Sequence, residues 1–188
     1  MHLRSLALAA CCTLLTTASF ALPTGQMGDM KMAAPATKAL PSPAATANVT
    51  LNGKSVVIHY NSPRMKGRKI MGGIVPYGQV WRTGANPATT LITATSLKIG
   101  TLTVPAGTYT IYTLPNADQW LLIVNKQTGQ WGTEYTQAQD LGRTPMQHKT
   151  LSAPQENMSI SFEHTQGSST ELHVKWETTD EYVTVQAE

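Results

Sequence analysis

Apolar and polar residues alternate with a period of two along most of the chain after Asn48, and turn residues interrupt this alternation at near-regular spacing. In the segment 55–60, Val56, Ile58 and Tyr60 fall on one side of the chain. Such alternation is typical of strands that cover a core with one face. No long segment has the period of an amphipathic helix. The pattern therefore predicts an all-β fold.

The turn residues divide this pattern into short strands. Asn52-Gly53 favours a type I′ turn between two strands of a hairpin. Ile99-Gly100 interrupts the apolar segment 97–104, and the continuously apolar segment 120–124 predicts a central strand covered on both faces. The spacing predicts an antiparallel β-sandwich or partly open barrel of about eight to nine strands.

Residues 1–21 have the features of a secretory signal peptide. Arg4 precedes the apolar run 6–15, and the small residues Ser19 and Ala21 are spaced for cleavage. The apolar run is too short for a membrane-spanning helix. We therefore expect a secreted or periplasmic protein.

A lipoprotein signal is the alternative interpretation of the same segment. Leu8-Ala9-Ala10-Cys11 resembles a lipobox, in which Cys11 would be lipidated and the protein would sit on the outer membrane. Membrane attachment is expected only in that case.

The rest of the chain divides into a linker and one domain. Residues 22–46 are rich in Ala, Pro, Thr and Met, a composition that buries little apolar surface and predicts a flexible linker. Residues 47–188 are enough for a single β-sandwich domain with its own core. Cys11 and Cys12 are the only cysteines, so cleavage at Ala21 would leave no disulfide and no thiolate chemistry.

Charge is distributed unevenly along the chain. Between Met30 and Ala117 there are nine Lys or Arg residues and no Asp or Glu, whereas from Asp118 onward there are ten acidic and four basic residues. Five of the basic residues lie in the segment 61–86, hereafter the basic loop, whose prolines and glycines exclude a long helix or strand.

The basic loop is the candidate binding site. A guanidinium offers a planar fork of donors to a carboxylate or phosphate, and an exposed aromatic ring can stack on a sugar. The hypothesis is a pocket for a small polar or anionic ligand or a glycan, built from Arg68, Tyr77, Trp81, Arg82 and Asn86. The alternative is an ordered structural loop, in which Arg82 bonds backbone carbonyls and Trp81 belongs to the core.

The basic loop also carries a family resemblance. It contains Ser62-Pro63, Lys66-Gly67-Arg68, Gly73, the run 75–78 and the run 80–86; further along come Pro105 to Tyr109, Pro115, Trp120, Asn125-Lys126 and Gln130-Trp131-Gly132. This set resembles the bacterial domain-of-unknown-function family 2911, over roughly residues 49–162. The resemblance implies a secreted protein and brings no established activity. Pro87 stands where the family more usually has an acidic residue.

Catalytic and nucleic-acid-binding functions are less favoured by the sequence. No nucleophile motif, carboxylate pair or cofactor motif stands out, and we expect no cofactor. A secreted location and a net charge of +3 argue against nucleic acid as a partner. A hydrolase acting on an envelope polymer remains an alternative to a non-catalytic binding or envelope-associated module.

Two metal hypotheses are weaker. Met27, Met30 and Met32 offer thioethers of the kind that bind Cu(I), which suggests periplasmic copper handling as a further alternative. His164 and His173 flank a predicted turn, but strand alternation places their side chains on different faces, which disfavours a shared metal site.

Overall fold

A computed structural model describes residues 40–188 of the chain. These residues form ten β-strands and a short 3₁₀ helix at Gln137–Gln139. The strands are β1 (Ala44–Leu51), β2 (Lys54–Asn61), β3 (Thr89–Thr93), β4 (Leu97–Ile99), β5 (Leu102–Val104), β6 (Gly107–Leu114), β7 (Leu121–Asn125), β8 (Asp140–Pro145), β9 (Gln147–Gln166) and β10 (Ser169–Ala187).

The strands form two antiparallel sheets. The first sheet has the order β1-β2-β3-β6-β7-β8, and the second has the order β5-β4-β10-β9. Their apolar faces share one core, to which Ile58, Leu91 and Ile111 contribute from the first sheet, and Val174 and Trp176 from the second. The all-β sandwich predicted from the sequence is confirmed, with ten strands in the described residues instead of eight or nine.

Several local predictions are also confirmed. Asn52 and Gly53 have φ values of 49° and 73° and connect β1 to β2, as a type I′ turn requires. The segment 97–104 forms the short hairpin of β4 and β5. β7 lies between β6 and β8 and is mostly buried, as its apolar run predicts.

The first strand of the domain begins earlier in the chain than the composition predicts. β1 begins at Ala44, inside the segment 22–46 assigned to the linker, because its backbone pairs with β2 as far as Asn61 and Ala47 is buried. The predicted signal peptide 1–21, including Cys11, and residues 22–39, including Met27, Met30 and Met32, lie outside the described residues. Over residues 40–188, no helix has the length and apolar character of a membrane span.

β9 and β10 form a long hairpin that bends. Their register shifts near Glu177, which has a φ of 55°. In a straight strand, residues seven positions apart lie about 23 Å from each other. The side chains of His173 and Asp180 are nevertheless 2.7 Å apart. The bend thus folds one part of β10 over another.

Gly100, in the turn between β4 and β5, lies against Thr144 of β8 and gives a test of the packing between the two sheets. Its φ is 55°, and a Cβ there would lie 2.2 Å from Thr144 Oγ1, which accepts a hydrogen bond from the Thr101 amide. Gly100→Ala should lower the free energy of unfolding by about 2–5 kcal/mol, because overpacking adds to left-handed backbone strain. Urea unfolding measures this loss.

Gly129→Ala is the matched control for backbone strain. Gly129 has a φ of 79°, and a Cβ there would have open space around it. The control should cost only about 1–2 kcal/mol. Equal losses for the two variants would show that contact with Thr144 is unimportant.

Candidate functional site

The basic loop contacts both sheets. Trp81 exchanges two backbone hydrogen bonds with Thr113 of β6 in the first sheet, at 2.8 and 2.9 Å. On the other side, the Met65 amide donates to the Glu156 carbonyl of β9, and the Met158 amide donates to the Pro63 carbonyl. The loop is therefore fixed at several points along its length.

Within the loop, a tight turn at residues 69–75 requires glycine at position 73. The Ile74 amide donates to the Lys69 carbonyl, and the Val75 amide donates to the Ile70 carbonyl. A Cβ on Gly73 would lie 2.5 Å from the Lys69 carbonyl oxygen. Only glycine fits this close backbone approach.

The loop lines a cleft of about 380 Å³, hereafter the basic cleft. Four cationic side chains line it, and no carboxylate does; the cations are Arg64, Lys66, Arg68 and Arg82. The rings of Trp81 and Trp176, which also line the cleft, are stacked with centroids 5.9 Å apart and planes at 19°. The cleft thus combines positive charge with an aromatic surface.

Four of the five residues predicted for the site line this cleft. They are Arg68, Trp81, Arg82 and Asn86. Tyr77 does not line it and belongs to a second cleft. Arg64 and Lys66 also line the cleft, and the sequence hypothesis left them out. Their position in the same basic segment as Arg68 could have indicated them.

Arg82 is held by the loop that contains Trp131-Gly132. Its Cδ lies where a side chain on residue 132 would begin, since a Cβ on Gly132 would be 1.9 Å from that atom. The Nε atom of Arg82 is buried and has no hydrogen-bond partner among the described residues. Burial lowers the pKa of the Arg82 guanidinium, which nevertheless remains charged. Arg82 therefore brings a charged donor that the rest of residues 40–188 do not satisfy.

Three other cleft residues also stabilise the local fold. Arg68 donates to the carbonyls of Met65 and Arg64, at 2.9 and 2.8 Å. Asn86 Nδ2 donates to the Ser42 carbonyl, and Trp81 Nε1 donates to the Gly84 carbonyl. These bonds agree in part with the alternative interpretation, in which the basic loop is an ordered structural loop. Arg82, for which carbonyl partners were also expected, has none at Nε.

The acidic residues of the second half do not neutralise the basic cleft. Over residues 40–188, no ion pair joins a carboxylate to any of its four cations; the ion pairs made by Arg and Lys involve Arg143 and Lys175 instead. Glu156 and Glu177 do reach the basic loop, but they accept hydrogen bonds from the backbone amides of Lys66 and Met71, at 2.9 and 3.1 Å.

The second cleft has a volume of about 410 Å³ and contains an acid–base pair. Tyr77, His148 and Glu181 line it, and His148 Nδ1 lies 2.7 Å from Glu181 Oε1. Burial raises the pKa of the Glu181 carboxyl, contact with His148 opposes this, and the charge of Asp180 adds to it. Thr150 Oγ1 lies 3.3 Å from His148 Nε2.

The prediction that His164 and His173 point to different faces is wrong. Their ring centroids are 6.0 Å apart, and Glu171 lies between them. Strand alternation fails here because His164 has a φ of 52° and the register of β9 and β10 shifts between Ser169 and Glu171. A β-bulge redirects side chains in this way.

Residues 42–185 match a family whose description is "Protein of unknown function (DUF2911)". The chain belongs to the DUF2911 family. A search of curated proteins and a search of solved structures found no match.

Several residues that carry the DUF2911 resemblance meet around the basic cleft. Gly132 leaves room for the Arg82 side chain, and its amide donates to the Asn86 carbonyl. Pro87 forms a backbone bridge with Trp131. Trp120 packs edge-on against Trp81, with ring centroids 6.3 Å apart. Residues distant in the sequence therefore shape one region.

The buried Glu181 predicts a specific pH dependence. Since its folded-state pKa is raised, ionisation favours the unfolded state, and this carboxyl removes stability as pH rises from about 4, its ordinary range. Glu181→Gln lacks this loss, so its stability relative to the unsubstituted protein should increase with pH. Urea unfolding between about pH 4 and 7 measures the difference.

Glu134→Gln is the control for that measurement, because it removes the negative charge of an exposed glutamate. An increase of the same size in the control would assign the effect to net charge. A relative stability of Glu181→Gln that falls with pH would contradict the raised pKa.

Proposed function

We propose that this DUF2911 protein is a non-catalytic binding module, whose basic cleft takes a small anionic molecule or an acidic glycan. The observation that carries the proposal is the lining of the cleft, with four cations and no carboxylate. A cavity wall of one charge sign concentrates ligands of the opposite sign.

Arg82 supports an oxygen-rich anion as the ligand. The Arg82 side chain lines the cleft, and its two terminal guanidinium nitrogens make no hydrogen bond or ion pair with residues 40–188, so they are free to donate to a ligand oxygen. Bonds between a guanidinium and a carboxylate or phosphate are among the stronger hydrogen bonds in proteins. Carboxylate and phosphate groups are therefore the chemistry that this site recognises.

The aromatic surface supports a sugar or another ring beside the charged group. Trp81 is partly exposed and lines the cleft, while its other contacts hold the ring in place. A fixed indole offers a stacking face at low entropic cost. A cleft of about 380 Å³ lies within the usual range for small-molecule sites, which favours one or a few sugar units over a macromolecule.

The proposed location is secreted or periplasmic, and its support is the signal-like sequence of residues 1–21. Attachment to the membrane is proposed only for a chain lipidated at Cys11. An acidic glycan of the cell envelope would be accessible to the protein in either case.

The double variant Arg64→Gln/Lys66→Gln tests the cleft. Neither side chain makes a hydrogen bond or ion pair with residues 40–188, so the fold should be unchanged by circular dichroism. We expect the affinity for citrate or trigalacturonate to fall by about 10-fold or more, because two charge-assisted contacts are removed. Isothermal titration calorimetry with these two probes and inorganic phosphate measures the change.

Lys54→Gln/Lys98→Gln is the matched control. Both lysines are exposed and lie outside the cleft, and the control removes the same two positive charges. It should bind the probes as the unsubstituted protein does. An equal loss of affinity in the control would show that the probes bind through unspecific charge attraction and not through the cleft. No binding of any probe by the unsubstituted protein would also contradict the proposal.

A hydrolase is the second candidate, and the His148–Glu181 pair in the second cleft is the observation that favours it. A histidine oriented by a carboxylate is a common general base. In this interpretation Tyr77 and the pair act together on a small ester. The basic cleft is then a separate binding surface.

p-Nitrophenyl acetate tests the second candidate. A hydrolase would cleave this ester at a rate that His148→Gln abolishes and that the control His59→Gln, on exposed β2 surface, leaves unchanged. Hydrolysis that survives His148→Gln, or none by the unsubstituted protein, would remove this candidate.

A further inference from the structure

Three side chains with metal-binding chemistry meet on the β9–β10 hairpin, and none of them lines either cleft. They are His164, Glu171 and His173, and their ligand atoms lie within 4.8 Å of one another. Glu171 Oε2 lies 2.8 Å from His164 Nδ1 and 3.2 Å from His173 Nε2. Ligands of one tetrahedral ion have similar separations, given metal–ligand distances of about 2.0–2.2 Å.

His173 is oriented by a second carboxylate. Its Nδ1 atom lies 2.7 Å from Asp180 Oδ1, and both side chains are buried. Its ring stacks on Tyr182, with centroids 5.0 Å apart and planes at 10°. When Nδ1–H donates a hydrogen bond to Asp180, the Nε2 lone pair is directed toward Glu171. Metal-binding histidines are typically held by a carboxylate in this way.

Both ring nitrogens of His173 face carboxylate oxygens, Nδ1 toward Asp180 at 2.7 Å and Nε2 toward Glu171 at 3.2 Å. A neutral imidazole has only one N–H, so it can donate to only one of the two carboxylates. The other nitrogen then presents its lone pair to a carboxylate, and a metal ion between these two atoms would bind both.

The pairing of β9 with β10 brings further negative charge close to His173 and Glu171. Glu171 lies directly opposite Glu163 in the ladder, and like charges at such positions destabilise a sheet unless a cation lies between them. Glu163 Oε2 is 3.9 Å from His173 Nε2. Lys175 neutralises part of this charge through contacts of 2.6 Å with Glu163 and 3.8 Å with Asp180, and Lys149 lies 4.2 Å from the Tyr182 ring centre.

We propose that His164, Glu171 and His173 form a binding site for a divalent transition-metal ion, best represented by Zn²⁺. The ligand atoms are His164 Nδ1, Glu171 Oε2 and His173 Nε2. Two imidazoles and one carboxylate suit borderline ions such as Zn²⁺, Cu²⁺ and Ni²⁺, whereas Mg²⁺ and Ca²⁺ prefer all-oxygen sites. Because 63% of the His164 side chain is exposed, the ion is reached from solvent and water completes its coordination.

Zinc titration of the purified chain tests this site. Cys11 and Cys12 are alkylated first, since free thiolates bind zinc themselves. Isothermal titration calorimetry should detect one Zn²⁺ per chain, and Zn²⁺ should raise the melting temperature because it binds the folded state. Mg²⁺ and Ca²⁺ should do neither.

His164→Gln and Glu171→Gln locate the ion. Both side chains are at least partly exposed, so the variants should fold, and each should weaken zinc binding by about 10- to 100-fold or more. His59→Gln and Arg64→Gln/Lys66→Gln are the controls and should bind zinc normally. The second control also separates this site from the basic cleft. Unchanged zinc affinity in His164→Gln and Glu171→Gln, or no zinc binding by the unsubstituted protein, would overturn the proposal.

Discussion

The packing of Trp81 between the two sheets is the contact on which the candidate site depends. Its ring meets Trp120, immediately before β7, at 86° and stacks on Trp176 of β10 at 19°. Its backbone is fixed to Thr113 of β6 by two hydrogen bonds. Each aromatic pair contributes about 0.5–1.5 kcal/mol beyond the area that it buries. A loop rich in glycine and proline has little order of its own, so this anchor gives Arg82, the next residue, a defined position.

The backbone of the basic loop explains why its cations are available to a ligand. A long irregular segment must satisfy its amides without a regular strand partner. Glu156 and Glu177 do this for Lys66 and Met71. These carboxylates reach the loop but are directed to backbone amides, and the other acids that form ion pairs do so with histidines, Arg143 or Lys175. The acidic second half of the chain therefore folds against the basic half without neutralising the cleft.

Strand alternation and turn chemistry were sufficient to predict the sandwich, because they depend on neighbouring residues. Asn52-Gly53 and the apolar run 120–124 are examples in which the local pattern and the fold agree. Most of the cleft was predictable as well, since its residues share one loop. Tyr77 instead lines the second cleft, where its ring lies beside Gly72, and no local pattern encodes that direction. The side chain of His164 was misplaced because its left-handed backbone and the register shift between Ser169 and Glu171 break the period of two, and the alternation of apolar and polar residues reveals neither.

The residues of β9 and β10 with a strained backbone lie next to the side chains that these strands contribute to the proposed sites. His164 and Glu177 have φ values of 52° and 55°, and a residue other than glycine adopts this conformation at a cost of roughly 1–2 kcal/mol. The strain at His164 turns its ring toward Glu171, and the strain at Glu177 accompanies the bend that brings Asp180 to His173. Glu177 also supports the basic loop through the Met71 amide. Between these points, Trp176 faces the core and the basic cleft, whereas His173 and Lys175 alternate to the opposite face. One strand thus contributes to the proposed metal site on one face and to the proposed anion site on the other, and its irregularities near Glu171 and Glu177 help to position the side chains.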